Sequence, residues 1–307
     1  MLKYVGGRLA AIIALAFGIS VLVFLMIRLI PGDPVIALLG TQAGNAEMIE
    51  RLRDQLGLNE PLFTQYTIWL GNVLQGDFGY SYGRQRPVLE LLRVNFGPTL
   101  QLTTAALLLS VSFGLMLGTW AAVRRNRAPD TIGMGLALAF MSMPSFWLGL
   151  LLILLFAVTW PIFDVVGGTS FKGLVLPAVT LALGTIGFNA RFVRSSLLAA
   201  QVQKHVLTAR AKGLRRPVVF LRHVLRNALL PILTVVGLQL GNLLSGTVVV
   251  ETVFSRPGLG RLLVDAILSK DYLTIQAVVL VIAIIYAFVN FLVDLLYPVL
   301  DPRIARR

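Results

Sequence analysis

Residues 272–293, YLTIQAVVLVIAIIYAFVNFLV, form an uncharged run near the carboxyl end of the sequence. A helix that crosses the hydrocarbon core of a bilayer needs roughly 20 mostly apolar residues, so this run is long enough to span a membrane. Five more runs of similar length lack Asp, Glu, Lys and Arg, at residues 9–27, 94–123, 131–163, 173–190 and 227–250. We therefore predict six transmembrane helices.

The composition agrees with a lipid environment. Hydrophobic residues make up 57% of the 307-residue sequence and charged residues only 13%, whereas soluble domains carry about 25% charged residues. The runs are apolar throughout and do not alternate as the strands of outer-membrane barrels do. We therefore predict an all-α polytopic membrane protein. The expected spans are residues 9–30, 98–123, 131–160, 174–200, 228–252 and 272–297.

The distribution of the net charge of +13 predicts the orientation. If the amino terminus lies inside, the cytoplasmic segments hold 17 of the 27 Lys and Arg residues but only Asp130 and Asp301 among the acids. The external segments then hold ten basic and eleven acidic residues. This asymmetry follows the positive-inside rule. We expect both termini in the cytoplasm, and the basic residues beside membrane lipid rather than nucleic acid.

Residues 31–97 are expected to form an external insertion between the first two spans. Pro31 ends the first helix, because proline lacks an N–H and fixes φ. An insertion of about sixty residues is too long for a simple connection in a compact fold. Asn45 is a good cap for a short helix that ends at Gly57, and Pro61 suits the first turn of a second one. We therefore expect the insertion to be mostly helical.

The most informative stretch is strongly basic. Residues 191–226 contain nine Lys or Arg residues, both histidines of the chain and no acidic residue. Within it, Gly213 is placed to end one helix and Pro217 to begin another. The second helix has a predicted apolar side formed by Val218, Leu221, Val224, Leu225 and Leu229. We place the loop itself at residues 201–227 and name it the basic segment.

Two interpretations of the basic segment stay open on these grounds. Its cations fix the topology and contact anionic lipid, each adding about 1 kcal/mol near the surface. That effect does not account for the ordered small residues Ala209, Ala211 and Gly213, which would let the backbone of another protein approach closely. The second interpretation is therefore a protein contact.

A family resemblance lies first in Thr208-Ala-Arg-Ala-Lys-Gly213, followed by Arg222-His-Val-Leu-Arg-Asn-Ala-Leu-Leu-Pro231. This pattern resembles the cytoplasmic signature loop of binding-protein-dependent ABC importer permeases. Similarity to the dipeptide, oligopeptide and nickel branch extends to Leu29-Ile-Pro-Gly-Asp-Pro34, Gly76-Asp-Phe-Gly79 and Ser142-Met-Pro144. The general signature begins Glu-Ala-Ala, whereas residues 207–209 are Leu, Thr and Ala, a departure that looks typical of the branch.

The resemblance implies a division of labour. The chain would be a type I ABC importer permease with six transmembrane helices, paired with a second homologous permease. Two cytoplasmic ATPase subunits would bind ATP and magnesium, and this chain would hold no cofactor, metal or catalytic residue. An external substrate-binding protein would contact the insertion and residues 250–257. The protein would lie in the cytoplasmic membrane of a bacterium or archaeon.

In the family, the basic segment forms a coupling helix that docks in a groove of the ATPase. ATP-driven closure of the two ATPases then reorients the two permeases. The residues that the resemblance assigns to this contact are Thr208, Ala209, Arg210, Ala211, Lys212, Gly213, Arg222 and His223.

Polar residues within the spans, and a proline that interrupts one of them, are candidates for the transport pathway. They are Ser142, Pro144, Gln239, Asn242, Asn290 and Asp294. Each has a structural alternative. Pro144 kinks the third helix and so shapes packing, Gln239 and Asn242 hydrogen-bond between helices, and Asp294 pairs with a cation near a helix end.

Two other functions compete with the permease. An ion-coupled secondary transporter would need buried acids near the midplane of the membrane, but Asp294 lies off centre and no other acid lies near the middle of a predicted span. A membrane-embedded enzyme would need a catalytic pattern, and the sequence has no His-Glu-x-x-His and no cysteine. The cargo stays open among dipeptides, longer peptides, nickel chelates, glutathione-like molecules and sugars.

Overall fold

The computed structural model describes residues 2–28, 35, 46–55, 59–164 and 168–300. Within these residues, the regular structure is helical apart from one hairpin of two short strands, β1 (Tyr80–Ser81) and β2 (Arg86–Pro87). The α-helices are α1 (Leu2–Arg28), α2 (Ala46–Gln55), α3 (Leu62–Leu74), α4 (Val88–Val123), α5 (Ala128–Ser142), α6 (Ser145–Ile153), α7 (Phe171–Gln201), α8 (Lys204–Ala211), α9 (Arg216–Val218), α10 (Arg226–Val253), α11 (Leu259–Leu268) and α12 (Tyr272–Leu300). A π-helical segment, Leu154–Thr159, continues α6, and a second one, Val219–Leu225, joins α9 to α10.

Five helices of the described part are long and apolar enough to cross a membrane. The qualifying stretches are Gly6–Met26, Val88–Val123, Phe171–Gln201, Thr234–Val253 and Tyr272–Val293. A sixth span is available if Ala128–Ser142 and Ser145–Thr159 are taken together, although they are bent by 104°. This pattern agrees with an all-α polytopic fold.

The third expected span is broken rather than kinked. Met143 ends α5 in an extended conformation (φ −86°, ψ 131°), and Pro144 precedes α6 with ψ 136°. Proline removes a backbone donor and disfavours the helical region for the residue before it, so helix geometry is lost at both positions. The expectation of a single helix over residues 131–160, kinked at Pro144, was therefore wrong at this point.

Of the described residues, the first of two compact units contains those between 100 and 256 and residues 292–300. Helix α7 packs against α5, α6 and α10. Glycines make these approaches close, as in membrane helix packing generally: a Cβ at Gly118 would lie 2.6 Å from the carbonyl oxygen of Ala190. A Cβ at Gly187 would overlap the carbonyl oxygen of Ala137. The backbone of α7 therefore touches both α4 and α5.

The second compact unit contains residues 2–99 and 257–291. Its insertion holds helices α2 and α3, in agreement with the prediction, while Asn45 and Gly57 lie outside the described residues. Aromatic rings attach α3 to α1, with the Phe24 and Tyr66 centroids 5.2 Å apart. The Tyr66 hydroxyl also lies 2.7 Å from the Ser20 hydroxyl. The insertion is thus anchored on the first helix.

The β-hairpin was not predicted from the sequence. Tyr80 pairs with Pro87, and Ser81 with Arg86. The Ser81 hydroxyl donates a hydrogen bond of 2.5 Å to the Asp271 carboxylate, which also accepts a bond of 2.7 Å from the Thr274 hydroxyl at the start of α12. The hairpin is therefore held by the residue that precedes α12.

Candidate functional site

Helix α8 opens the basic segment and ends as the sequence predicts. Gly213 has φ +75°, a conformation that favours glycine. The N–H of Gly213 donates to the carbonyl of Arg210 at 2.9 Å, and the N–H of Leu214 donates to the carbonyl of Ala209 at 3.4 Å. This pair of bonds is a Schellman motif, which satisfies the last carbonyls of the helix. The predicted helix stop at Gly213 is confirmed.

The predicted apolar side of the second helix is partly wrong. Val219 and Val224 are buried, with exposed fractions of 3% and 1%, whereas Val218 and Leu221 are exposed. The reason is the π-helical segment, in which residues five apart lie above one another. A pattern based on 3.6 residues per turn therefore selects the wrong side chains.

The buried face of the basic segment belongs to the chain's own core. Val206 and Ala209 of α8 pack in one cluster with Val219, Val224 and Leu197, the last of these from α7. The small side chain of Ala209 is therefore explained by packing within the chain.

Of the other residues that the resemblance assigns to the ATPase contact, His223 is half-buried and the rest are exposed. The exposed ones are Thr208, Arg210, Ala211, Lys212, Gly213 and Arg222.

Two histidines tie α8 to the start of α10. The Nε2 atom of His205 lies 3.0 Å from Nδ2 of Asn227 and 3.3 Å from the carbonyl oxygen of His223. The Asn227 amide also donates to that carbonyl at 2.7 Å. The sequence interpretation named His223 but missed His205 and Asn227, because residues 22 positions apart give no local signal of their contact.

A bidentate ion pair joins the base of α5 to α7. Nε of Arg194 donates to Oδ1 of Asp130 at 2.6 Å, and an NH2 hydrogen donates to Oδ2 at 2.7 Å. Asp130 is buried and also accepts the N–H of Asn126 at 3.0 Å. Asn126 itself has φ +61°. The turn between α4 and α5 is thereby fixed to α7, about two turns before the basic segment begins at the end of that helix.

A polar network lies among the apolar helices of this unit. The Gln239 amide of α10 donates to Oδ1 of Asn189 in α7 at 2.7 Å, and the Asn189 amide donates to the Ser110 carbonyl of α4 at 3.2 Å. Oε1 of Gln239 is buried and has no hydrogen-bond partner in the described part of the chain. Gln239 therefore hydrogen-bonds between helices, and the sequence did not identify Asn189 or Ser110.

The remaining pathway candidates differ in their surroundings. Asn242, Ser142 and Pro144 are exposed, and the Ser142 hydroxyl donates to the Leu138 carbonyl of its own helix at 3.0 Å. Asn290 is half-buried. The side chain of Asp294 lies outside the described residues.

Charged residues of the 250–257 segment point into the unit. Arg256 is fully buried and donates hydrogen bonds to the Gly168 carbonyl at 2.5 Å and to Oε1 of Gln101 at 3.3 Å. Burial lowers the pKa of Arg256, and the buried Glu251 carboxylate opposes that shift. Thr252 is exposed on the same stretch. The ionic residues thus hold the segment in place.

Comparison of the sequence with known protein families identifies the family to which the chain belongs. Residues 114–306 match the family described as "Binding-protein-dependent transport system inner membrane component", and residues 1–103 match its N-terminal component. The chain belongs to this family. The predicted resemblance is confirmed, and the protein is a permease subunit of an ABC importer in the peptide and nickel branch.

Similar permeases span the whole chain. The permease is 43% identical to the glutathione transport system permease protein GsiC of Escherichia coli strain K12, over 304 residues that are 99% of both chains. The GsiC protein of Salmonella typhi is 44% identical over the same coverage. These relatives are transport subunits rather than enzymes. The permease is thus a multi-pass protein of the bacterial inner membrane that works with ATPase and binding-protein subunits.

Solved ABC transporters share the fold. An inward-facing MetNI methionine ABC transporter matches with a TM-score of 0.59 at 20% identity, covering 69% of this permease and 97% of that chain. An amino acid ABC transporter crystallised with histidines matches with a TM-score of 0.56 at 15% identity, covering 68% and 93%. The predicted fold class, a polytopic all-α ABC importer permease, is confirmed.

Proposed function

We propose that the permease forms half of the pathway through which a glutathione-type short peptide enters the cell. A second homologous permease forms the other half, two ATPase subunits bind ATP and magnesium, and an external binding protein delivers the solute. The observation that carries the choice of solute is the similarity to the glutathione permeases, which extends over 99% of the chain. Both termini lie in the cytoplasm, which the positive-inside distribution of Lys and Arg supports.

The basic segment is the contact for the ATPases. Arg210, Lys212 and Gly213 are exposed at the end of α8, while Val206 and Ala209 pack its other face on the chain. This arrangement supports a docking role, because one face is free for a partner and the other is attached to the helices that must move. A displacement of α8 passes to α7 and α10 as a rigid-body motion.

The transport pathway is lined by side chains that are exposed on the first compact unit, the one that contains residues 100–256. Asn242, Ser142 and Pro144 are exposed, which supports their placement towards the solute or the second permease. The break at Pro144 supports the same assignment, since non-helical backbone at membrane depth is tolerated where it lines a cavity or is buried in protein.

The solute is tested with the complete importer reconstituted in liposomes. Radiolabelled glutathione is expected to accumulate only with ATP and the binding protein, and unlabelled glutathione should compete better than dipeptides, longer peptides or a nickel chelate. Accumulation of another solute without glutathione uptake would reject the proposed cargo and leave the ABC mechanism intact. Uptake driven by an ion gradient without the ATPases would reject the mechanism.

The docking role is tested at Gly213. A β-branched residue is strained at positive φ by about 1–2 kcal/mol, so Gly213→Val is expected to lower both ATPase association and uptake. Gly213→Asn should retain both, because asparagine adopts this conformation more readily.

A matched control for Gly213 exists in the insertion. Gly76 ends α3 with φ +85° and an equivalent pair of backbone hydrogen bonds. Gly76→Val therefore introduces the same strain away from the basic segment. If it reduces ATPase association as much as Gly213→Val does, the basic segment has no special role in docking.

A further inference from the structure

Helix α3 belongs to the uncharged part of the insertion. Residues 61–76 contain no Asp, Glu, Lys or Arg, although Glu60 and Asp77 stand directly on either side of them. The helix itself has 13 residues and is therefore about 20 Å long. It is too short to cross a hydrocarbon core of about 30 Å. With an acidic residue close to each end, it is suited to lie along a membrane surface rather than to pass through the membrane.

The contact between α3 and α1 lies within the membrane-spanning stretch of α1. The Tyr66 hydroxyl lies 2.7 Å from the Ser20 hydroxyl. Ser20 is six residues before Met26, where the apolar stretch of α1 ends, and so lies about 9 Å below that end. Because Ser20 donates its only hydroxyl proton to the Phe17 carbonyl, Tyr66 must be the donor to Ser20. Both hydroxyl protons are thus bonded without water, as a hydrocarbon environment requires.

The start of α12 gives a similar depth independently. The Gln276 amide donates to the Val23 carbonyl of α1 at 2.6 Å. Gln276 is four residues after Tyr272, where the apolar stretch of α12 begins, so this bond lies about 6 Å inside the apolar layer. Ser20 lies about one helical turn deeper than Val23. The Tyr66 ring therefore reaches below the headgroup layer.

The exposed surface of α3 has one apolar side. Phe63 and Leu74 are 78% and 79% exposed, and they share one side of the helix with Thr67 and Leu70. The Thr67 hydroxyl donates to a carbonyl of the same helix at 2.8 Å, so its proton is bonded within α3. We name these four residues the apolar stripe. Asn72 is exposed on the opposite side of the helix, so the surface of α3 is amphipathic.

We propose that α3 lies in the membrane surface at the end of α1, with the apolar stripe in contact with lipid acyl chains. The stripe continues an apolar side of α1 on which Phe17 and Leu22 are exposed. The two sides adjoin, because the ring centroids of Phe17 and Tyr66 are 6.2 Å apart. Interfacial helices bury their apolar side about 5–10 Å into the boundary between headgroups and acyl chains, which is the depth that Tyr66 reaches on α1.

The proposal leaves other parts of the insertion in water. Helix α2 carries the exposed ion pair of Arg51 with Glu47. The hairpin exposes Arg84 and Arg86. Charged side chains of this kind are costly to place among acyl chains. A binding protein can therefore contact the insertion through α2 or the hairpin while α3 stays in the lipid.

Spin labels on single cysteines test the proposal, since the chain has no cysteine of its own. Phe63→Cys probes the apolar stripe, Asn72→Cys is the matched control on the opposite side of α3, and Leu22→Cys on α1 is the lipid reference. The permease with its partner subunits is reconstituted in liposomes of phosphatidylethanolamine and phosphatidylglycerol. Collisions of each label with oxygen and with a water-soluble nickel chelate are then compared. The ratio of oxygen to nickel collisions should be as high for Phe63→Cys as for Leu22→Cys, and several times lower for Asn72→Cys.

Two results would overturn the lipid contact. Equal ratios for Phe63→Cys and Asn72→Cys would mean that α3 lies in water. A label at Phe63→Cys that neither oxygen nor the nickel chelate reaches would mean that a partner protein covers the apolar stripe.

A charge on the stripe gives a second test. Phe63→Glu places a carboxylate among acyl chains and should raise the nickel collisions of a label at Leu74→Cys, because α3 is then displaced towards water. Asn72→Glu is the matched control and should leave those collisions unchanged. The same response to both charges would contradict the proposal.

Discussion

Two amide side chains, Asn189 and Gln239, link the helices that flank the basic segment. They are buried, joined at 2.7 Å, and connected onward to the Ser110 carbonyl. In an apolar environment, loss of one partner leaves a polar group unsatisfied. The pair therefore favours movement of α7 and α10 as one body, which is what transmission from the basic segment requires.

Gln239→Leu is expected to lower the amount of solute transported per ATP hydrolysed, because α7 and α10 then move more independently. Thermal stability should fall by about 0.6–2 kcal/mol, the range for interhelical hydrogen bonds in membranes. Parallel assays of uptake and ATP hydrolysis in liposomes give the ratio. Asn189→Leu should have the same effect, and the double variant should be no worse than either single one. Additive losses, or an unchanged ratio, would show that the bond does not couple the helices.

Arg256→Met is expected to destabilise the permease by about 1.5–3 kcal/mol, because it removes hydrogen bonds that a buried charged group donates. The change removes the bonds to Gly168 and Gln101 and the favourable electrostatic influence of the cation on the buried Glu251. Thermal unfolding in detergent measures the loss. The double variant Glu251→Gln with Arg256→Met should recover part of it. A double variant less stable than the single one would refute the electrostatic explanation.

For individual residues, the sequence indicated which polar side chains matter but not which residues they hydrogen-bond to. Gln239 was named, yet its partner Asn189 is 50 positions away and the next contact, Ser110, is 79 positions from Asn189. Such contacts depend on tertiary packing and leave no local pattern. Arg256 and Glu251 were expected near an external partner, and their burial follows from the fold around Gly168 rather than from their own sequence.

Helix ends were predictable where glycine or proline determines the local backbone. Gly213 ends α8 as expected from φ preferences alone. Pro61 was expected in the first turn of α3 and lies one position earlier, as its N-cap. Helix faces were less predictable. The π-helical segment Val219–Leu225 shifts the buried side to Val219 and Val224, and no residue in it signals a five-residue period.

Close approach of α5 and α7 depends on Gly187. Gly187→Ala places a methyl group against the carbonyl of Ala137, so the helices must separate. We expect a loss of about 1–3 kcal/mol, the usual cost of overpacking, measured by thermal unfolding in detergent. Gly135→Ala is the control on α5, because a Cβ there meets no other atom within 4 Å. It should be neutral or stabilising by up to about 1 kcal/mol. Equal effects of the two changes would contradict close packing at Gly187.

For the molecule as a whole, the composition was sufficient to predict an all-α membrane protein with several transmembrane helices. Apolar runs of span length identified the membrane helices, and the structure has five such helices and one bent pair in its described part. The hairpin escaped prediction, because two-residue strands carry no periodic pattern. The bend of 104° at Pro144 was also underestimated, since a proline alone does not determine how far a helix is bent.

The central claim is that the basic segment binds a separate ATPase subunit. A cysteine cross-link between the two proteins tests this claim most directly. The chain has no cysteine, so Lys212→Cys introduces a single exposed thiol at the end of α8, and Gln75→Cys introduces a matched one at the end of α3. A thiol-specific cross-linker should join the Lys212→Cys permease to the ATPase, and a membrane-impermeant maleimide should label it only in opened cells. The Gln75→Cys permease should be labelled in intact cells and form no ATPase adduct. Labelling of Lys212→Cys from outside, or adducts with lipid alone, would contradict the account.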